Sequence, residues 1–331
     1  MSVSNVRVAI DVAGGDHAPA AVLDGIDGAL AADPNLELLL TGPGEIVTPF
    51  SSVRQRVTAV PTTEIIGMDE HPASAVRAKK DSSIVVGCRL VKEGRADAFF
   101  SAGSTGACMA AALLGIGRIR GVSRPAIATV IPAPASATVL LDVGANADCK
   151  PEHLVQFAHM GGAYATAVLG VAHPRIALLN IGEEPAKGSQ LAQDAHALML
   201  EKVSGFVGNV EGRDVPAGVA DVIVTDGFTG NVALKLLEGT SKTLFDQLKE
   251  VMTASVLTGV AASILKPGLV RLKEKLDPEA YGGAPLLGID GVCIIGHGSS
   301  GPRAVTSAIA VAARAVRAEL TEMISEAVSG D

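Results

Sequence analysis

The segment Ser101-Ala102-Gly103-Ser104-Thr105-Gly106 sets two hydroxyls among residues too small to block a ligand. Small side chains let the backbone approach an oxyanion. The N–H groups of a helix starting near Thr105 would point at it, and the helix dipole favours negative charge. Ser104 acting only as an N-cap would leave the same pattern. Gly296-His297-Gly298-Ser299-Ser300-Gly301 fits the GxGxxG spacing of dinucleotide sites, but it lies at the last strand. Ser299, Ser300 and their N–H groups suit a phosphate equally well, so a nicotinamide-dependent dehydrogenase is the rival reading. Gly14-Gly15-Asp16-His17 sets an ionisable pair in a glycine-bordered turn. His17 suits a general acid or base, and Asp16 suits a helix cap.

Three further loops carry the same small, polar character. They are Asp142 to Asn146, Asn180 to Glu184, and Thr225 to Asn231, the last holding Asp226, Thr229 and Gly230. Ligands in open α/β sheets gather outside the carboxyl ends of strands, so all these loops are expected on one rim around one site. Met68 to Ser83 opens acidic and turns basic at Arg77, Lys79 and Lys80. That helix face suits an acidic partner, or merely solvent. The four cysteines are scattered without a CxxC pair, which favours buried thiols. Cys149 beside Lys150 lacks a neighbouring histidine, and the remaining histidines lack metal-ligand spacing.

The elements that must position these loops alternate strand, glycine-rich loop and helix. Val6 to Asp11, Leu36 to Gly42, Gln55 to Val60, Ala96 to Gly103, Arg175 to Gly182, Phe206 to Asn209, Ala220 to Gly227 and Gly291 to Gly298 read as strands. Ala126 to Pro132 and Thr138 to Val143 read as a hairpin about a proline-rich tip, so the sheet is expected to be mixed. Helices are expected over Pro19–Leu30, Ala73–Glu93 (with Asp81-Ser82-Ser83 inside it or between two helices), Thr105–Gly115, Lys150–Leu169, Ser189–Glu201, Gly230–Leu248 and Pro302–Val328. Hydrophobic residues make up 48% of the 331 and aromatics only 3%, so the core is aliphatic, as suits a parallel sheet under close-packed helices. A net charge of −8 argues against nucleic acid as a partner.

No leader peptide is expected at Met1 to Arg7, and no membrane span is expected. The reading is a cytoplasmic protein with one domain over 1–331. A helical pair protrudes at about 238–280 and meets at an apolar tip near Lys266-Pro267-Gly268. That pair suits a dimer bundle, or a tip dipping into a membrane interface with Leu257 in its apolar run.

Taken in order, IDVAGGDHAP, MDEHPASAVRAKKDSS, SAGSTGA, LLDVGANADCKPEHLVQFA, LNIGEE, GNVEGRD, VTDGFTGNVALK and YGGAPLLGIDGVCIIGHGSSGPRA resemble the bacterial phosphate acyltransferase family, from about Val8 to Ala310. Val12-Ala13 stands where the family often has Ala-Met, and Ala147 where Val is common; neither removes a polar group. The resemblance implies a three-layer α/β/α fold of the isocitrate-dehydrogenase and phosphotransacetylase type, with a mostly parallel, mixed sheet. It implies a homodimer, no cofactor and no metal. It further implies transfer of a fatty acyl group from acyl carrier protein to inorganic phosphate, with the acyl phosphate passing to a glycerol-3-phosphate acyltransferase at the membrane surface.

On that resemblance Ser104, Thr105, Thr229, Asn231, Ser299 and Ser300 are the expected core of the site. Gly15, Asp16, Gly103, Gly106, Asn146, Asp226, Gly230 and His297 are expected to line it. Asn231 or a backbone N–H would donate to the oxyanion, and His17 or Lys187 would assist the leaving thiolate. Arg77, Lys79 and Lys80 would receive the carrier protein.

Overall fold

The computed structural model describes residues 5–134, 137–275 and 282–329. The first half runs β1 (Val6–Asp11), α1 (Ala20–Ala32), β2 (Leu36–Pro43), α2 (Gly44–Ser52), β3 (Val57–Thr62), α3 (Pro72–Ala78), α4 (Ser83–Lys92), β4 (Ala98–Ser101) and α5 (Thr105–Ala111). The second half runs β5 (Ala126–Pro132), β6 (Ala137–Leu141), α6 (Pro151–Ala167), β7 (Ile176–Leu179), α7 (Gln190–Lys202), β8 (Phe206–Val210), β9 (Val222–Val224), α8 (Gly227–Thr253), α9 (Val256–Lys275), β10 (Ala284–Leu287), β11 (Val292–Ile295), α10 (Pro302–Arg317) and α11 (Leu320–Ser329).

All the strands join one sheet of eleven in the order β3-β2-β1-β4-β11-β10-β5-β6-β9-β7-β8. Residues of β1, β4 and β11 are buried nearly throughout, which is why they read as unbroken apolar runs rather than alternating ones. One buried cluster packs Ile10, Phe100 and Ile294 under α1, α6 and α10, and a second packs Ala9, Phe99 and Cys293 under α4 and α5. Helices on both faces of a mostly parallel, mixed sheet make three α/β/α layers.

Direction matters more than order. Strands β3, β2, β1, β4 and β11 are mutually parallel. The steps β11/β10, β10/β5 and β5/β6 are each antiparallel, and β6, β9, β7 and β8 are again parallel. The second block therefore runs opposite to the first. The loops that were expected on one rim leave the sheet at two opposite edges.

Several elements differ from expectation. Helix α2 and strand β10 were not expected; α2 carries Pro49 inside it and β10 spans four residues around Pro285, so each has a weak periodic signal. Of the two arrangements expected over Ala73–Glu93 the structure has two helices, α3 and α4, between which Asp81 and Ser82 turn to pair with Glu64. The helix expected through Gly115 ends as a π turn over Ala112–Ile116, and the last helix breaks at Glu319, whose φ of 53° ends α10. The turn between α8 and α9 falls at residues 254 and 255, while Lys266-Pro267-Gly268 lies within α9. The Leu257 side chain lies outside those described.

Candidate active site

Strand β1 ends in Asp11, a carboxylate with 1% of its surface exposed. It ends an apolar run with a charge because the next loop needs an acceptor. Its Oδ1 accepts the Ala13 N–H at 3.0 Å and its Oδ2 accepts the Ser101 hydroxyl at 2.7 Å. Ser101 Oγ in turn accepts the Gly103 N–H at 3.0 Å. Burial raises the Asp11 pKa, and bonds from Ser83, Ser101, Ala13 and Gly14 only partly offset this. A methyl group on Gly14 would sit 2.7 Å from Gly103 N and 3.0 Å from Ser101 Oγ, so only glycine lets the loops after β1 and β4 touch.

The third loop joins these two. Asp16 N–H donates to Gly298 O at 2.7 Å, and Gly296 N–H donates to Ser101 O at 2.8 Å. Gly15 holds a φ of 107°, which a side chain would strain. Gly15, Asp16, Gly103, Ser104, Thr105, Gly106, His297, Ser299 and Ser300 therefore share one edge. Thr105, Asp16, His17, His297 and Ser299 are exposed there, while Ser104 and Ser300 are buried. Ser104 caps α5 by accepting the Ala107 N–H at 3.4 Å. The Thr105 and Gly106 N–H groups lie in the first turn and have no partner inside the helix. This edge offers oxyanion donors on a frame held from beneath by Asp11.

Helix α3 borders the same edge. A Cβ on Gly106 would sit 2.6 Å from the Pro72 ring. Lys79 donates to Ile65 O at 2.7 Å and to Glu70 Oε1 at 2.6 Å, and Gly67 N–H donates to the same Glu70 oxygen at 2.6 Å. That clasp fixes the loop carrying Met68, whose methyl would lie 3.2 Å from a Cβ on Gly298. Arg77 and Lys80 remain exposed, while Lys79 is occupied.

The opposite edge has its own buried carboxylate, also at a strand end. Asp142 accepts N–H groups from Ile127, Gly144, Ala145 and Asn146 and the Asn146 side-chain amide. Asn146 also donates to Pro125 O at 2.8 Å. Asp226 accepts both the Thr229 N–H at 2.9 Å and its hydroxyl at 2.8 Å, capping α8. Gly230 N–H donates to Asp226 O at 2.9 Å, and Gly227 N–H donates to Asn146 O at 2.8 Å, which joins the loop after β9 to the loop after β6. Asn231 is exposed beside Gly144. The Cys149 thiol near this loop is pushed up to about 11 by burial and by Asp142 and Asp226, so it is no activated thiol.

Lys187 is exposed in the loop after β7, on this second edge, where Asn180 Nδ2 donates to its carbonyl at 3.0 Å. Within one chain, Asn231 and Lys187 do not share an edge with His17, Ser104 and Ser299. Asp11, Asp142 and Met68 fall within segments the sequence singled out, but none was given a role; a single acid closing an apolar strand was the available signal for the first two, and no signal set Met68 apart from its segment. The GxGxxG loop is followed by two helices and, among the described residues, by no strand whose end could hold a ribose-binding acid.

A family model described as fatty acid synthesis protein matches residues 6–323. A protein of Desulfitobacterium hafniense (strain Y51) named phosphate acyltransferase is 50% identical over 327 residues, covering 97% of each chain. One of Heliobacterium modesticaldum with the same name is 49% identical, covering 98% of each. Among solved structures, a branched-chain phosphotransacylase from Enterococcus faecalis V583 superposes with a TM-score of 0.62 at 17% identity, covering 94% of this chain and 99% of that one.

Proposed function

The chain belongs to the fatty acid synthesis protein family, and we propose that it transfers a fatty acyl group from acyl carrier protein to inorganic phosphate. The observation that carries this reading is the edge formed by the loops after β1, β4 and β11. Its small residues, exposed hydroxyls and first-turn N–H groups suit a phosphate, and the exposed Arg77 of the bordering helix and Lys80 just after it suit an acidic carrier protein. Phosphate dianion is itself a nucleophile. One phosphate oxygen bonds to the thioester carbonyl carbon, and the tetrahedral oxyanion collapses. The C–S bond breaks, and the thiolate leaves to take a proton from water or a nearby acid. The protein has to hold phosphate, steady the oxyanion and exclude other geometries. His17, exposed on this edge, is the acid available to the thiol.

Two finer readings accompany it. Helix α8 buries only Gly227 and Gly230 and exposes Phe228, Val232, Leu236, Leu244, Leu248 and Val251 along its length. A second copy of the chain covers that stripe, making a homodimer. No described helix is long and apolar enough to cross a membrane. The end of the α8–α9 pair touches the cytoplasmic membrane surface, where acyl phosphate passes to a glycerol-3-phosphate acyltransferase.

The test is direct. Purified protein is mixed with palmitoyl-acyl carrier protein and phosphate, and acyl phosphate is trapped with hydroxylamine. Phosphate-dependent hydroxamate supports the reading. Its absence, with folded protein and acylated carrier, removes it.

A further inference from the structure

The loop after β11 contains a pairing that chain order alone does not disclose. His297 Nδ1 lies 2.7 Å from Ser299 Oγ and 3.3 Å from Ser299 N. A backbone N–H can only donate, so a ring nitrogen facing it must present a lone pair. Nδ1 is therefore the acceptor, and the Ser299 hydroxyl also donates to it. The single hydrogen of the neutral imidazole then sits on Nε2, the nitrogen away from the turn. The turn that makes this choice is rigid. Ser300 N–H donates to His297 O at 2.9 Å, Ser300 is 7% exposed, and Gly298 O is held by Asp16 N–H at 2.7 Å. The ring itself is exposed.

From this geometry we infer that Ser299 is a positioning residue that locks His297 as its Nε2–H tautomer, making His297 a neutral hydrogen-bond donor to an oxyanion at this edge. The inference rests on the acyl-transfer reading for the identity of that oxyanion. It is either a phosphate oxygen or the thioester oxygen as the carbon becomes tetrahedral.

The same contacts argue against a nucleophilic Ser299. Moving the Ser299 proton to Nδ1 would set a new N–H against the Ser299 backbone N–H at 3.3 Å. A base that cannot keep the proton does not generate an alkoxide. Phosphate needs no such base, so a fixed donor is the more useful group.

The tautomer is read by long-range ¹H–¹⁵N correlation on the full-length labelled protein, with His297→Gln used to identify the His297 signals. The expected result is protonated Nε2, bare Nδ1, and an Nε2 shift on adding inorganic phosphate. Ser299→Ala keeps the backbone N–H that selects the tautomer but loses the hydroxyl donor, so it should weaken the preference for Nε2–H, and Ser299→Thr should restore it. In turnover, His297→Ala should lose roughly 10²-fold in one parameter. A raised KM for phosphate with kcat intact identifies the phosphate oxygen; a lowered kcat with KM intact identifies the thioester oxygen. His297→Gln, which keeps an N–H near the Nε2 position, should retain more activity than His297→Asn.

An Nδ1–H tautomer at neutral pH overturns the inference, whatever the enzyme turns over. So does an acyl adduct on Ser299, or a His297→Ala variant within twofold of the parent in both kcat and KM. If no acyl phosphate forms at all, a locked Nε2–H that shifts with phosphate still supports the donor, and only the acyl-transfer reading falls.

Discussion

Two aspartates hold the two edges of this protein. Asp142 accepts hydrogen bonds from four backbone N–H groups and one side-chain amide, so removing it strands several buried donors at once. Asp142→Ala should lower stability by about 2–4 kcal/mol in chemical denaturation. Asp11 and Asp142 are both raised by burial, so each holds its proton to a higher pH in the fold than in the unfolded chain. Stability from such a group is present in acid and is lost as pH rises through the raised pKa. The melting temperature of Asp11→Asn minus that of the parent should accordingly increase as pH is taken from the ordinary carboxylate range towards neutrality. Asp221 behaves oppositely. Burial raises it, but the bonds from Arg175 outweigh burial and hold it below the ordinary 3.8. Its contribution is present above that value and is lost as pH falls through the lowered one. Asp221→Asn should flatten the acid side of the melting curve.

At the scale of elements, the basic helix divides its labour. Lys79 clasps the loop from Ile65 to Glu70, while Arg77 and Lys80 face solvent. Arg77→Ala and Lys80→Ala should each raise KM for acyl carrier protein about 3–10-fold at low salt, with less effect at high salt. A steady-state titration at two ionic strengths checks this; Lys79→Ala should show little salt dependence.

The same scale shows what could be read from sequence. Strands such as Val6–Asp11 and Ala98–Ser101 were legible because full burial writes an apolar run. The hairpin β5–β6 was legible from its prolines. Strand β10 was not, because four residues around Pro285 carry no period. A break at Asp81 to Ser83 was legible as one of two readings, but the choice was not, because it depends on Asp81 bonding to Thr63 and Glu64, a contact across 17 or more positions. Within the candidate site, residue types were legible but edges were not. Which edge a loop joins depends on strand direction, and the three antiparallel steps sit in short strands that look like any other.

At the scale of the molecule, Asn231 and His297 belong to opposite edges of one sheet. They can serve one thioester only if two copies contribute, and α8, which starts at the Asn231 loop, carries the stripe that a second copy would cover. His297→Ala and Asn231→Ala chains, refolded together and assayed at a phosphate concentration where neither alone turns over, should then regain about a quarter of parental activity, because half the dimers are mixed and each holds one intact site. Unmixed controls should stay inactive. A pair that stays inactive, with mixed dimers shown to form, would confine each site to a single chain. If a second copy covers that stripe, sedimentation should find a dimer that Leu244→Glu reduces.

Strands β4 and β5 follow one another in the chain, yet β11 and β10 lie between them in the sheet. A ribosome making this protein reaches Val292 about 190 residues after it finishes Ser101. At ordinary elongation rates that is on the order of ten to forty seconds. During that interval β4, paired with β1 on one side, lacks its β11 neighbour on the other, and β5, once made and paired with β6, lacks β10, so each keeps one open edge. Such edges pair readily with other chains. The segment from Ala284 onward, with β10 and β11, therefore acts as the closing piece of a sheet whose flanking strands were made long before. A nascent chain stopped before Val292 should be far more dependent on chaperones than its length suggests, and supplying the missing segment in trans should relieve it.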